Sequence, residues 1–173
     1  MVFRKATGAD IKKVSDIYEE IHKIEEAERT GIGWIRGVYP TYDTAKCAVD
    51  REDLFVCEDN GEVTGAAIIN KVQVDTYKYG HWMHEAKDEE VMVLHTLVIS
   101  PTHGKKGYGK SFVAFYEEYA LKNNCRYLRM DTNANNTRAR AMYKKLGYSE
   151  IGIVDCTFNG IEGVGLVLLE KKL

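Results

Sequence analysis

The chain has 173 residues, 45% hydrophobic and 29% charged, a balance that fits an ordinary globular domain with one core and excludes a disordered chain. Lys and Arg total 24 against 26 Asp and Glu, and the resulting net charge of −2 argues against nucleic acid as a main partner. No apolar stretch approaches the ~20 residues of a membrane helix, and Met1-Val-Phe-Arg-Lys-Ala-Thr-Gly8 has no apolar core of signal-peptide length. Cys47, Cys57, Cys125 and Cys156 are scattered with no C-x-x-C pair, and read as buried free thiols of a cytoplasmic protein.

Phe3–Ala6 reads as a short first strand. Thr7 and Asp10 then offer capping oxygens to a helix whose buried stripe is Ile11, Val14, Ile17, Tyr18, Ile21 and Ile24. From Thr30 to Thr44 the chain is rich in glycine and aromatics and reads as an ordered loop, with a helical turn or two over Thr44–Val49. Leu54–Cys57 and Val63–Val72 are strands joined through Asp59-Asn60-Gly61, and Asn-Gly between apolar runs is a hairpin signal. Asp75–Glu90 is polar and aromatic. The apolar run Val91–Ile99 is a long strand stopped by Pro101.

A glycine-rich turn follows, then a helix with Phe112, Phe115, Tyr116 and Tyr119 on one face. Cys125–Met130 is a further buried strand. The helix of about Thr137–Leu146 carries Ala139, Met142, Tyr143 and Leu146 at helical spacing and stops at Gly147. The chain closes in a hairpin, Tyr148–Phe158 and Ile161–Leu169, turning at Asn159-Gly160. The order β-α-(α)-β-β-β-α-β-α-β-β shows no internal repeat and no domain boundary, so residues 1–173 read as a single α/β (α+β) domain.

Gly104 to Ser111 read GKKGYGKS. A strand feeding a glycine-rich turn that opens a helix is a recipe for holding a pyrophosphate, because small residues let the backbone approach and free N–H groups point at the anion. The eight residues fit two readings. As G-x-x-x-x-G-K-S they match the nucleotide-triphosphate P-loop, with Asp131 at the end of Tyr127-Leu-Arg-Met-Asp131 imitating its magnesium carboxylate. Counted from Pro101 as P-x-x-x-x-x-G-x-G, they look like the coenzyme A loop of an acetyltransferase. The P-loop reading suffers because only 62 residues follow Ser111 and they end in an antiparallel hairpin, not in further βα units. A dinucleotide fingerprint fails, since Gly107-x-Gly109 is followed by Phe112 where a small residue is needed.

One strand further on stands Asn136-Thr-Arg-Ala139-Arg-Ala-Met-Tyr143-Lys-Lys-Leu-Gly147-Tyr148. This N-x-x-A-x-x-x-Y-x-x-x-G-[FY] pattern, after the V-x-P-x-x-x-x-x-G-x-G-like loop, resembles the GNAT superfamily of N-acetyltransferases, and the element order resembles it along nearly the whole chain. The resemblance implies a mixed central sheet with antiparallel N-terminal hairpins, a splayed parallel pair in the middle, a C-terminal hairpin and helices on both faces. It implies acetyl-CoA as acyl donor, a small-molecule or peptide amine as acceptor, neither nucleic acid nor membrane as partner, and a homodimer. One departure is Gly104, where the family usually has Arg or Gln.

By the same resemblance, backbone groups of Leu97, Val98 and Ile99 pair with the pantetheine arm and polarise the thioester carbonyl, and Gly104, Lys105, Lys106, Gly107, Tyr108, Gly109 and Lys110 cradle the pyrophosphate. Asn136 is a helix cap that also reaches the pantetheine or a water, and Tyr143 is the acid that protonates the departing thiolate. On the residues alone, Tyr143 also reads as a core tyrosine. His95, placed by regular alternation on the face of Val93 and Leu97, reads equally as the proton acceptor for the amine and as a core histidine. Glu89 and Glu90 are runners-up as base, and the acidic run Asp88-Glu89-Glu90 favours a cationic amine. Trp34, Tyr39 and Trp82 are candidate acceptor walls or loop packing. His81 and His84 are too weak a pair for a metal, so none is expected. Another function class, a non-catalytic acetyl-CoA-binding module, would share the loop but need neither Tyr143 nor a base.

Overall fold

The computed structural model describes residues 1–104 and 106–173, so the expected contribution of Lys105 lies outside the described residues. Seven strands form one mixed sheet: β1 (Val2–Lys5), β2 (Leu54–Asp59), β3 (Glu62–Asn70), β4 (Val91–Ile99), β5 (Tyr127–Asn133), β6 (Ser149–Phe158) and β7 (Ile161–Lys172). Their spatial order is β1-β2-β3-β4-β5-β7-β6. Only β4 and β5 run parallel, and every other neighbouring pair is antiparallel. Both expected hairpins turn on Asn-Gly, with φ of +51° and +78° at Asn60 and Gly61 and of +51° and +77° at Asn159 and Gly160. These are the left-handed angles that match the twist of the flanking strands.

Alternation along the strands sorts side chains onto two faces. Phe55, Cys57, Ala67, Ile69, Leu128, Met130, Val167 and Leu169 face α3 (Tyr108–Lys122) and α4 (Thr137–Lys145), where Phe112, Tyr116 and Tyr143 complete one core. Leu54, Val56, Ala66 and Ile68 face α1 (Ile11–Glu28) and α2 (Tyr42–Asp50). The apolar stripe of α1 is buried as its spacing predicts, from Ile11 to Ile21, while Ile24 is only half-buried. A third cluster places Tyr77, from a short 3-10 turn at Asp75–Tyr79, over Val91, Val93, Leu166 and Leu168.

Several boundaries differ from the sequence reading. β1 starts at Val2, α2 starts at Tyr42, and β3 ends at Asn70, short of the expected Val72. The Asn70 side chain accepts the Val72 N–H (2.9 Å), turning the chain out of the sheet. Among the cysteines only Cys57 and Cys125 are buried; Cys47 is exposed and Cys156 half-buried, and all four are free thiols. No helix among the described residues is long and apolar enough to cross a membrane.

Candidate active site

The parallel pair comes apart partway along. β4 and β5 are in register from Val91–Tyr127 to Leu94–Met130 and no further. β4 then stays with β3, through Ala66–Val98 and Gly65–Ile99, while β5 stays with β7. Just before the strands part, within the paired stretch, the buried Tyr116 hydroxyl donates to the carbonyls of Met92 (2.6 Å) and Arg129 (3.2 Å), one on each strand. Beyond it, β4 carries an irregularity at Thr96, which takes a left-handed φ of +51°. The extra residue reverses the alternation. Met92 and Leu94 face α3, and so do Leu97 and Ile99. His95 therefore shares a face with Val93 but not with Leu97, contrary to the regular alternation expected from sequence.

A cavity of about 1490 Å³ runs through this gap and is lined from both faces of the sheet. On the α3–α4 side it takes in Leu97, Ile99 and Pro101, then Gly104, Gly107, Tyr108, Gly109 and Lys110, and from α4 Asn136, Met142 and Tyr143. Val98 also lines it, although its side chain packs into the α1–α2 core. Lys106 is exposed and does not line it. Gly104 has an ordinary φ of −60°, so glycine is not required there for its backbone angle. Gly107 does need it: φ is +86° at the residue that precedes α3. The first N–H groups of α3 have no acceptor within the helix, and Tyr108, Gly109 and Lys110, which carry them, line this lobe. Tyr108 contributes only its backbone, because its ring is buried in the core and its hydroxyl donates to Asp59 (2.7 Å).

Asn136 caps α4, its Oδ1 accepting the Ala139 N–H at 3.1 Å. Tyr143 is both core and cavity wall. It is almost fully buried and packs edge-on against Tyr148 (6.1 Å between ring centroids) while facing the gap. Burial raises its phenol pKa well above 10, and the charge of Asp131 raises it further, so the hydroxyl stays protonated at neutral pH.

His95 lines the cavity from the opposite face, but it is engaged. Asn70 donates its amide to Asp53 (2.9 Å), which fixes Asn70 Oδ1 as the acceptor for His95 Nε2 at 3.1 Å. Burial pushes the imidazole pKa down to about 4, with the charge of Asp53 opposing, so His95 is neutral at pH 7 and only weakly basic. Glu89 and Glu90 are at the foot of β4 and do not line the cavity; the Glu89 carbonyl instead accepts from Lys71 (2.8 Å).

The group that sequence reasoning missed is Asp131. It lines the cavity beside the gap, at the last turn of the pleat before β5 ends. The Tyr77 hydroxyl donates to its Oδ2 at 2.8 Å, and it has no ion-pair partner among the described residues. Burial raises its pKa to about 6, against the opposing Tyr77 hydrogen bond. From sequence alone this residue stands out only as the imitation magnesium carboxylate of the P-loop reading. Its place in an alternating strand leading into Asn136 was the available signal.

Of the candidate aromatic walls, Trp34 and Tyr39 line the cavity, packed edge-on at 6.0 Å. Tyr39 shares a hydrogen bond with the Thr96 hydroxyl at the β4 irregularity. Trp82 is elsewhere. It stacks on the Arg129 guanidinium at 4.0 Å and donates to the Tyr77 carbonyl. His84 is also structural, near the buried Glu170 carboxylate (3.3 Å), and among the described residues no cluster of His, Cys, Asp or Glu could hold a metal.

The fold is shared with known proteins. An acetyltransferase of the GNAT family from Streptococcus agalactiae superposes with a TM-score of 0.84 at 20% identity, covering 99% of this chain and 95% of that one. A Salmonella typhimurium protein described as an acetyltransferase, solved with its cofactor acetyl-CoA, superposes at 0.71 with 17% identity over 100% of this chain and 94% of its own. In sequence, an uncharacterised N-acetyltransferase of Methanocaldococcus jannaschii is 29% identical over 105 residues, which are 61% of this chain and 42% of that relative. The family model described as "Acetyltransferase (GNAT) family" matches residues 16–148, from within α1 to the end of the Asn136–Tyr148 pattern. The chain belongs to the GNAT family of acetyltransferases.

Proposed function

We propose that the chain transfers the acetyl group of acetyl-CoA to a primary amine by direct attack in a ternary complex. The observation that carries this reading is a single cavity through the β4–β5 gap with Tyr143 on one side and Asp131 on the other. The family uses acetyl-CoA, and this site fits it. The free N–H groups opening α3, with Lys110 beside them, suit a pyrophosphate. The β4 backbone from His95 to Ile99, without a strand partner on the β5 side, suits the amides of a pantetheine arm laid in as an added strand.

Three tasks remain to the chain. An ammonium must lose a proton before its nitrogen can attack the carbonyl carbon. Charge building on the carbonyl oxygen needs a donor, which the N–H of Leu97 or Val98 supplies. As the C–S bond breaks, the sulfur takes a proton from the Tyr143 hydroxyl. For the first task we favour Asp131 over His95. A carboxylate with a pKa of about 6 is mostly ionised at pH 7 yet basic enough to accept a proton, whereas His95 at about 4 is a poor acceptor and its Nε2 is committed to Asn70.

The test is the pH dependence of kcat/KM together with binding. Wild type should show an acidic limb near pH 6; Asp131→Asn should lose that limb and at least about 10²-fold in kcat. His95→Gln should keep the limb, and its disappearance there would return the role of base to His95. Tyr143→Phe should lower kcat by roughly 10²-fold with little change in acetyl-CoA affinity by calorimetry. Acetyl-CoA binding with no turnover on any amine would leave a binding module in place of an enzyme.

A further inference from the structure

Resting on that reading, we infer that the acceptor is a primary amine with no anionic group and an apolar arm of aromatic size. The lobe opposite α3 and α4 is walled by Trp34 and Tyr39 from the loop after α1, and by Phe158, Ile161 and Leu166 from the β6–β7 hairpin, with Asp131 at its inner end. These walls can cover an arm several carbons long, and the flat rings suit a ring in return.

The polar groups around this lobe are largely paired with one another. Arg51 donates to both oxygens of Asp53 (2.9 and 3.2 Å), Asn70 donates to Asp53, and His95 is tied to Asn70. The Tyr39 hydroxyl is held by Thr96. Such groups gain little from a second hydroxyl, amide or carboxylate on the acceptor, and displacing any of them would leave a half-buried group without its partner. Glu28, Asp43 and Arg138, which also line the cavity, are solvent-exposed; among the less exposed groups the exception is Asp131, a half-buried carboxylate bonded to one neutral hydroxyl and to no cation among the described residues. An ammonium is its natural complement.

The same charges say what is refused. Arg51 is already committed to Asp53, and Arg138, which also lines the cavity, is solvent-exposed on α4, so an acceptor carboxylate would find no buried free cation and would share the lobe with the negative Asp131. Amino acids are therefore poor acceptors although they carry the right amine.

Thiol release measured on the purified protein with acetyl-CoA and a matched amine set tests this. 2-Phenylethylamine should exceed phenylalanine, which adds only a carboxylate, by at least about 10-fold in kcat/KM. It should exceed 1,5-diaminopentane and a short peptide with a free N-terminus by a similar margin. Phe158→Ala should raise KM for 2-phenylethylamine by about 10-fold, with a smaller change for ethylamine. Equal or better rates with phenylalanine, the diamine or the peptide would overturn the inference, as would an unchanged KM in Phe158→Ala. In those cases acetyl-CoA would still bind and Tyr143→Phe would still slow the preferred amine, so the acetyltransferase reading would survive. Absence of acetyl-CoA binding would instead remove that reading itself.

Discussion

Burying a carboxylate has opposite consequences at two places in this chain, depending on what faces it. Asp10 is buried against Arg4, which donates to both its oxygens (2.8 and 2.9 Å), and those hydrogen bonds hold its pKa at about 2 against the cost of desolvation. Asp131 has only the Tyr77 hydroxyl, and burial lifts its pKa to about 6. Both titrate near 3.9 in an unfolded chain. For Asp10, the folded value is depressed, so its stabilisation is full above about pH 3.9 and is lost as pH falls through about 2. For Asp131, the folded value is raised, so its favourable contribution is full below about 3.9 and is lost as pH rises through about 6. Asp10→Asn should accordingly lower Tm at pH 7, with a smaller effect at pH 2. Asp131→Asn should raise Tm at pH 7.5 and leave it nearly unchanged at pH 4, while removing activity. Thermal melts of the two variants across this range check both signs, and a lower Tm for Asp131→Asn at pH 7.5 would refute the desolvation of its carboxylate.

At the scale of elements, the loop between α1 and α2 is positioned by close approach. Glu25 accepts the Gly33 N–H (2.9 Å) and the Thr30 hydroxyl, and Arg36 reaches back to Glu26 (2.8 Å) and Glu19. Gly31 has φ of +89°, and a Cβ there would overlap the carbonyl of Asn135 in the segment joining β5 to α4. Gly31→Ala combines a left-handed backbone with a backbone clash, and should cost about 1–3 kcal/mol or more. At ~2–4 °C per kcal/mol for a chain of this size, that is a drop in Tm of several degrees. A melt with unchanged Tm would show that the loop does not depend on this contact. The displaced loop carries Trp34, so KM for the amine should rise as well.

The same scale explains what the sequence could and could not convey. Element order was readable because periodicity and Asn-Gly turns are local signals, and Gly107 and Asn136 announced the helix starts that frame the gap. The β4 irregularity was not readable: Thr96 takes a left-handed angle because of how β4 pairs with β3, and no neighbouring residue type demands it. That one feature turned Leu97 away from His95. Likewise Trp34 and Trp82 look alike in sequence, and only the partner each finds, a cavity for one and Arg129 for the other, separates them.

For the whole molecule, a sheet with cores on both faces leaves few places where a ligand can pass from one side to the other, and the β4–β5 gap is such a place. In the proposed reaction donor and acceptor would enter from opposite faces and meet within the sheet, an arrangement that suits a ternary complex. A ligand that fills this gap should stabilise the fold as its concentration rises. Acetyl-CoA at about 100 times its Kd should add about 2.7 kcal/mol. That corresponds to some 5–11 °C in Tm. Mg-ATP at equal concentration should add nothing, and the reverse result would restore the nucleotide-triphosphate reading of GKKGYGKS.

The Tyr116 hydroxyl, bonded to one carbonyl of β4 and one of β5, acts as a rivet just below the fork. Because its donor is shared between the two strands, neither can drift without losing half of the attachment, and the tines beyond it are held at a set spacing. A ligand laid between the strands would meet backbone groups whose spacing folding has already set.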